Sequence, residues 1–233
     1  MPKEFVLITN DDGFNAPGIL AVIETLKDDY ELLIVAPNSD FSGYARSIPR
    51  EFRDPEIIEH KYLGEIDGYK LAATPALCVL YGVKEILKPG DKIVACVSGV
   101  NNGLNVGHWS TYSATLGAAL EGAVRGIPSI AVSCEFQQES VEHFLPAAKV
   151  AKKYLEKILD PECENPPLWN INCPELMTQQ SVEKETWISK SDLKEFVWKR
   201  AENLEPGSDA HTVWEENNIS ITPMTGYLEA LIE

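Results

Sequence analysis

Residues 4–10 (EFVLITN) and 31–36 (ELLIVA) are short, nearly unbroken apolar runs, and 93–98 (IVACVS), 129–134 (SIAVSC) and 168–173 (LWNINC) repeat the pattern. Runs of this length without clean alternation predict strands covered on both faces, as in a parallel sheet. Between them the apolar positions fall at helical spacing. After Pro17 they are Ile19, Leu20, Val22, Ile23 and Leu26, a one-sided stripe opened by a proline in the first turn. Leu77, Leu80, Val83 and Leu87 predict a helix over 75–87, and Leu116, Leu120 and Val124 predict one over 113–125. Phe144, Leu145, Ala148, Ala151, Leu155 and Ile158 predict another over 141–158. Strand and helix alternate through most of the first 175 residues, which implies right-handed crossovers and an α/β fold: a doubly wound, mostly parallel sheet with helices on both faces.

Two segments break the rhythm. Residues 51–73 carry short alternating pieces and Gly turns, the pattern of a small antiparallel excursion. Beyond residue 175 the mixture of β-branched, aromatic and charged residues predicts an extended, hairpin-like appendage over 176–205, folded back or reaching toward another subunit. A short helix in GSDAHTVWEENN and a terminal strand in ISITP follow it. The expected organisation is an α/β core over 1–175 and a C-terminal appendage over 176–233 that is not an independent domain. No repeat or low-complexity tract divides the chain further.

At 233 residues, 44% of them apolar and 24% charged, the chain is long enough to bury a sizeable core and has ordinary globular composition. Twenty Lys plus Arg against 36 Asp plus Glu leave a formal charge of −16, which opposes any broad footprint on a nucleic-acid backbone. Small anionic substrates remain compatible with this charge, because a bound divalent cation reverses the local potential. The five cysteines (Cys78, Cys96, Cys134, Cys163 and Cys173) are odd in number, lack CxxC spacing and lie mostly in apolar runs, as expected for buried thiols in a reducing compartment. The N-terminal MPKEFVLITN enters a strand at once, without a basic region and a long apolar run, so the expectation is a cytoplasmic protein with no membrane contact.

The chemistry collects where strands end. Ligands of open α/β sheets bind outside the carboxyl ends of the strands, at the point where strand order reverses. The first strand runs into Asn10, Asp11, Asp12 and Gly13; the second into a small-residue loop with Ser39, Asp40, Ser42 and Gly43; the third into Ser98, Asn101, Asn102 and Asn105. Ser113 and Thr115 then open a helix whose N-terminal N–H groups suit an anion. An isolated NDDG is commonly just a turn, and Ser or Thr before a helix is commonly just a cap. Oxygen-rich clusters after three predicted parallel strands are harder to assign to coincidence. With few histidines and no thiols among them, they suit magnesium, manganese or calcium better than zinc. Neither GxGxxG nor GxxxxGK[ST] is present, which counts against classical dinucleotide and P-loop binding.

ITNDDG..APGI, VAPNSDFSGYARSI, TPALCVLYG, VSGVNNGLNVG, YSATLGAALEGAVRGIPSIAVS, NINCP and SDAHTVWEENNISITP occur in this order over nearly the whole chain, which thereby resembles the SurE family of 5′/3′-nucleotidases. The resemblance implies a Rossmann-like core and one divalent metal cation per subunit, magnesium or manganese with calcium as an alternative. It implies Asp11, Asp12, Ser42 and Asn101 as metal ligands, and Asp11, Asp12 and Asn101 as catalytic residues. It further implies hydrolysis of nucleoside 5′- and 3′-monophosphates, action on short polyphosphate, and a homodimer or homotetramer with C-terminal exchange. Three positions depart from the common family pattern: Asn38 stands where an aspartate is usual, Leu77 replaces an acid, and Ala114 replaces a glycine.

On this reading Asn10, Ser113, Thr115 and Arg46 contact phosphate, Arg46 because it is a lone cation in the active loop of an acidic chain. Attack by activated water is favoured over an aspartyl-phosphate, since the adjacent carboxylates of Asp11 and Asp12 point differently. His108 near the third loop is more simply a surface histidine. The rival reading from a different class is a Rossmann-type protein that binds or transfers a nucleotide or sugar nucleotide without hydrolysing it.

Overall fold

The structure, a computed structural model, describes residues 2–52, 54–62, 64–135, 140–162, 167–175, 177–178, 180–188 and 204–224. Nine strands form one sheet in the order β3-β4-β2-β1-β5-β6-β7-β9-β8. In chain order the elements are β1 (Glu4–Thr9), α1 (Pro17–Leu26), β2 (Leu32–Pro37), β3 (Ile57–Tyr62), β4 (Ile66–Leu71), α2 (Pro75–Tyr81), β5 (Lys92–Asn102), α3 (Ala114–Ala123), β6 (Ser129–Cys134), α4 (Val141–Leu159), β7 (Leu168–Cys173), β8 (Glu183–Glu185), α5 (Asp209–Trp214) and β9 (Ile219–Pro223). From β4 through β2, β1, β5 and β6 to β7 every pairing is parallel, and only the edges include antiparallel pairs. This is the doubly wound, mostly parallel α/β sheet that the alternation predicts, and the Rossmann-like core that the resemblance implies.

The unbroken apolar run of β1 has a direct cause. Val6 and Ile8 face the core beneath α1 and α4, while Leu7 faces the other way, into the core with α2. β2 divides the same way, with Leu32, Ile34 and Ala36 on the first side and Leu33 and Val35 on the second. Each such side chain removed from water contributes roughly 1.5–3 kcal/mol, so a polar residue anywhere in these runs is costly. Leu77, where the resemblance leads to the expectation of an acid, is fully buried in the second core and serves packing.

Three features refine the sequence reading. The antiparallel excursion over 51–73 is the β3–β4 hairpin, but it is no separate piece: β4 pairs parallel with β2, Ile34 opposite Gly68, and extends the main sheet. The helix predicted over 75–87 is α-helical only to Tyr81 and continues as a wider π-helical turn through Gly82–Ile86. β5 continues past the predicted 98 to Asn102, with a shift in its pairing to β6 between Ser98 and Asn101.

Within 176–233, β9 lies antiparallel to β7, and β8 runs parallel to β9 at the sheet edge. Residues 189–203, which hold much of the predicted hairpin, lie outside the described residues. No helix among the described residues is long and apolar enough to cross a membrane.

α1 approaches β5 so closely that a Cβ on Gly18 would sit 1.8 Å from the Val100 carbonyl oxygen. A methyl group there forces helix and strand apart, and overpacking of this kind costs about 1–3 kcal/mol or more. Gly18→Ala is expected to lower the denaturant midpoint by a corresponding amount in equilibrium unfolding; unchanged stability would show that this contact is not tight.

Candidate functional site

β1 lies between β2 and β5, so the three oxygen-rich strand ends open side by side at one edge of the sheet. The chain builds β2 and β4 on one side of β1, then places β5, β6 and β7 on the other. The reversal therefore falls beside β1, at the switch point where open α/β sheets bind ligands.

Asp11 is the hub. It is only 3% exposed, its backbone carbonyl accepts from the Phe41 N–H at 2.8 Å, and its Oδ1 accepts from the Thr115 hydroxyl at 2.6 Å. These two bonds tie β1 to the loop after β2 and to the N-terminus of α3. Burial pushes the Asp11 carboxyl up to about 6; hydrogen bonds from Thr115 oppose the rise, and the nearby negative charge of Asp40 adds to it. Asp12 is half-buried, and its Oδ2 accepts from the Asn102 N–H at 3.3 Å. The adjacent carboxylates thus point to different elements, one to α3 and the other to the end of β5. Asn10 is fully buried; its Nδ2 donates to the Gly13 carbonyl at 2.9 Å, and its Oδ1 has no hydrogen-bond partner among the described residues.

Ser42 is exposed, and both its N–H and its hydroxyl donate to Asp40 Oδ1 at 2.7 Å. Asn101 commits Nδ2 to the Gly103 carbonyl at 2.6 Å, which leaves Oδ1 as its acceptor for a ligand. Asp11, Asp12, Ser42 and Asn101 together supply two carboxylates, a hydroxyl and an amide oxygen, all hard donors suited to a magnesium-like cation. Among the described residues no group of three or more His, Cys, Asp or Glu gathers, so a site here must draw part of its donor set from Ser and Asn. Asp11 at this depth with a raised pKa, and Asn10 with an orphan oxygen, are what such a cation would compensate.

Thr115 turns its hydroxyl to Asp11, and the same oxygen lies 3.4 Å from Asn105 Nδ2. Ser113 caps α3, its Oγ accepting from the Leu116 N–H at 3.0 Å. Arg46 Nε donates to Glu121 Oε2 at 2.8 Å. Glu121, 1% exposed, also pairs with Arg125 across one helical turn. The loop after β2 is seated directly on α3: a Cβ on Gly117 would meet the Ala45 carbonyl oxygen at 2.5 Å, and the Ala45 N–H donates to the Tyr112 carbonyl at 3.1 Å. Hydrogen bonds thus bring Asp11 and Thr115 together and join Asp12 to the β5 end, while the bonds of Ser113 and Arg46 run to Leu116 and Glu121.

Several residues without an assigned role in the sequence reading take part as well. Asp40 holds Ser42 and charges the surroundings of Asp11. Asn105 donates to Ser133 at 2.8 Å, its N–H donates to Asn172 Oδ1 at 2.8 Å, and its carbonyl accepts from Asn170 Nδ2 at 2.9 Å. Two asparagines at i, i+2 in the apolar run LWNINC are the signal for this buried network, since side chains two apart in a strand share a face. Glu121 announces itself only as a lone acid in the small-residue helix GAALEGAV.

The family model for Survival protein SurE matches residues 6–195. The chain belongs to the Survival protein SurE family. It is 31% identical to the 5′-nucleotidase SurE of Methanococcus maripaludis, covering 94% of this chain and 92% of that protein. It is 32% identical to the 5′-nucleotidase SurE of Caldanaerobacter subterraneus, with 96% and 92% covered. Among solved structures it is similar to the SurE protein from Aquifex aeolicus, with a TM-score of 0.73 and 31% identity over 96% of this chain and 95% of that one. NDDG, SGYARS, SGVNN and YSAT supply the side chains of Asn10, Asp11, Asp12, Ser42, Arg46, Asn101, Ser113 and Thr115, while Asp40, Glu121, Arg125 and the network behind Thr115 lie outside these four motifs.

Asp11 supports a stability prediction. A carboxyl pushed up on folding costs stability while ionised, and that cost disappears as pH falls through about 6 toward the ordinary carboxylate range. Asp11→Asn keeps the acceptor for Thr115 and removes the charge. In chelator-treated protein it is expected to stabilise by about 1–3 kcal/mol at pH 8, with the difference from wild type closing near pH 4. Thermal unfolding across pH checks this, and a destabilised Asp11→Asn at pH 8 would contradict it.

Proposed function

We propose that this SurE chain is a metal-dependent phosphomonoesterase that hydrolyses nucleoside 5′-monophosphates to nucleoside and inorganic phosphate, with 3′-esters and short polyphosphate as further substrates. The observation that carries the reading is Asp11: a desolvated carboxylate at the switch point, bonded to the N-terminus of α3 and adjacent to a second carboxylate that faces β5. The 5′-nucleotidase names of relatives matched along most of both chains supply the reaction class.

In this reading Asp11, Asp12, Ser42 and Asn101 hold one divalent cation, magnesium or manganese. Bound there, it supplies Lewis acidity and lowers the pKa of water. The protein's own groups do the positioning. Thr115 fixes the Asp11 carboxylate by its hydroxyl bond, and the Asn105 network behind it prevents that hydroxyl from turning away. The N-terminus of α3, with the Ser113 hydroxyl, faces the phosphoryl oxygens with N–H and O–H dipoles where charge develops. Arg46, anchored at Nε by Glu121, keeps its two terminal nitrogens for the phosphate, and Asn10 adds a polar contact beneath it. Because Asp11 and Asp12 engage different elements, neither is free to act as a carboxylate nucleophile in line with phosphorus, which supports attack by water.

The four described cysteines are free and buried, with the Cys134 thiol pushed up to about 11 by burial, which supports a reducing, cytoplasmic setting. A homodimer or homotetramer with C-terminal exchange completes the proposal, and light scattering on the full chain tests it.

Phosphate release from nucleoside monophosphates with added magnesium or manganese is expected in wild type, and Asp12→Asn is expected to lower kcat by about 100-fold or more. Equal turnover in Asp12→Asn would contradict the reading. Thr115→Val removes the hydroxyl that positions the Asp11 carboxylate, so kcat is expected to fall about 10-fold or more, and Thr115→Ser is expected to restore it. Unchanged turnover in Thr115→Val would separate Thr115 from the chemistry.

A further inference from the structure

We infer that Tyr44 and Tyr112 form a stacking platform for the nucleobase, an inference that rests on the nucleotide reading of the same site. Among the described residues seven large apolar side chains are exposed, and three of them, Tyr44 at 46%, Tyr112 at 43% and Ile48 at 37%, belong to the loop after β2 and the approach to α3. The others lie on β3 and near β8. Aromatic surface left open next to a polar site marks a ligand contact more often than scattered exposure does.

The two tyrosines flank the joint that holds the phosphate end. Tyr44 follows Phe41 by three residues, and the Phe41 N–H donates to the Asp11 carbonyl at 2.8 Å. Tyr112 precedes Thr115 by three, and the Thr115 hydroxyl donates to the Asp11 carboxylate at 2.6 Å. Between them the Ala45 N–H donates to the Tyr112 carbonyl at 3.1 Å. Ala45 adopts φ +49, a left-handed conformation costly for a residue with a side chain. Such strain persists only where surrounding structure over-determines it, and it clusters at ligand contacts.

The Tyr44 ring is packed, and the Tyr112 backbone is held. Tyr44 packs on the buried Phe41 at 5.1 Å with planes at 74°, and Phe41 in turn packs on Phe52 at 5.4 Å. The Tyr112 N–H donates to the Trp109 carbonyl at 3.0 Å, so its backbone is bonded on both sides. A ring whose position is already fixed loses little freedom on binding.

The chemistry fits a nucleobase. In a chain of charge −16 the uncharged end of the substrate gains nothing from further charge, whereas every base has a π face that stacks on tyrosine without hydrogen-bond readout. The platform therefore predicts similar use of purine and pyrimidine nucleotides and weaker binding of phosphomonoesters that lack a base.

The test compares adenosine and uridine 5′-monophosphates with ribose 5-phosphate in the full-length protein, measuring KM by phosphate release and Kd by calorimetry. Tyr44→Ala and Tyr112→Ala are each expected to raise KM and Kd for both nucleotides about 5-fold or more, to change those for ribose 5-phosphate less than about 2-fold, and to be rescued by Phe at the same position. Equal losses on ribose 5-phosphate, no change on either nucleotide, or failure of the Phe variants to restore affinity would overturn the inference. A changed subunit count by light scattering with unaltered nucleotide affinity would also overturn it, assigning the tyrosines to a subunit contact. If wild type binds the nucleotides and loses them in the Ala variants yet releases no phosphate, the platform stands and the hydrolytic reading fails.

Discussion

A carboxylate almost removed from water at the end of a strand buried on both faces is the constraint from which the rest of the site follows. Asp11 cannot be hydrated where β1 places it, and its carboxyl is accordingly pushed up to about 6. The protein meets that cost only in part, with the Thr115 hydroxyl, and worsens it with Asp40. An arrangement that invests a core position in an under-compensated negative charge makes physical sense where a cation completes it.

The second tier of the structure holds this arrangement in place. Thr115 can present its hydroxyl to Asp11 because α3 begins at Ala114, capped by Ser113, and because Asn105, Ser133, Asn170 and Asn172 fill the polar space behind it. Arg46 stays with the loop after β2 because Glu121 reaches up from α3, and Gly117 lets that loop rest on the helix. The C-terminal segment contributes as well: Asp209 on α5 is fully buried, and its Oδ2 accepts from the Gly107 N–H at 2.8 Å, which fixes the far end of the loop that follows β5. Residues distant in sequence are thereby made to hold one edge of the sheet rigid, as a site that must bind charge without reorganising requires.

Much of the fold was legible because strands covered on both faces permit only unbroken apolar runs, and the helices between them show one-sided stripes. The edges were less legible. β4 reads IDGYKL, an alternating strand with a glycine, and nothing local distinguishes a detached hairpin from one that pairs with β2; that pairing is set by Leu71 and the small Gly68 fitting the sheet. Past residue 175 the pattern alone predicted a terminal strand but not its partner, β7. At the site, Asp11, Asp12, Ser42 and Asn101 were legible as oxygen-rich strand ends, since polar clusters after apolar runs stand out. Glu121 and the tyrosines were not: a single acid on a small-residue helix and two aromatic residues in loops acquire meaning only once the loop after β2 is seen to sit on α3.

The central claim is that the Asp11 and Asp12 pair holds a cation at the switch point. Manganese binding to the full-length protein, followed by electron paramagnetic resonance at neutral pH, tests it most directly. The account predicts one tight site per chain, lost in Asp11→Asn and in Asp12→Asn while both variants remain folded. Binding that is absent from wild type, or undiminished in both variants, would contradict it.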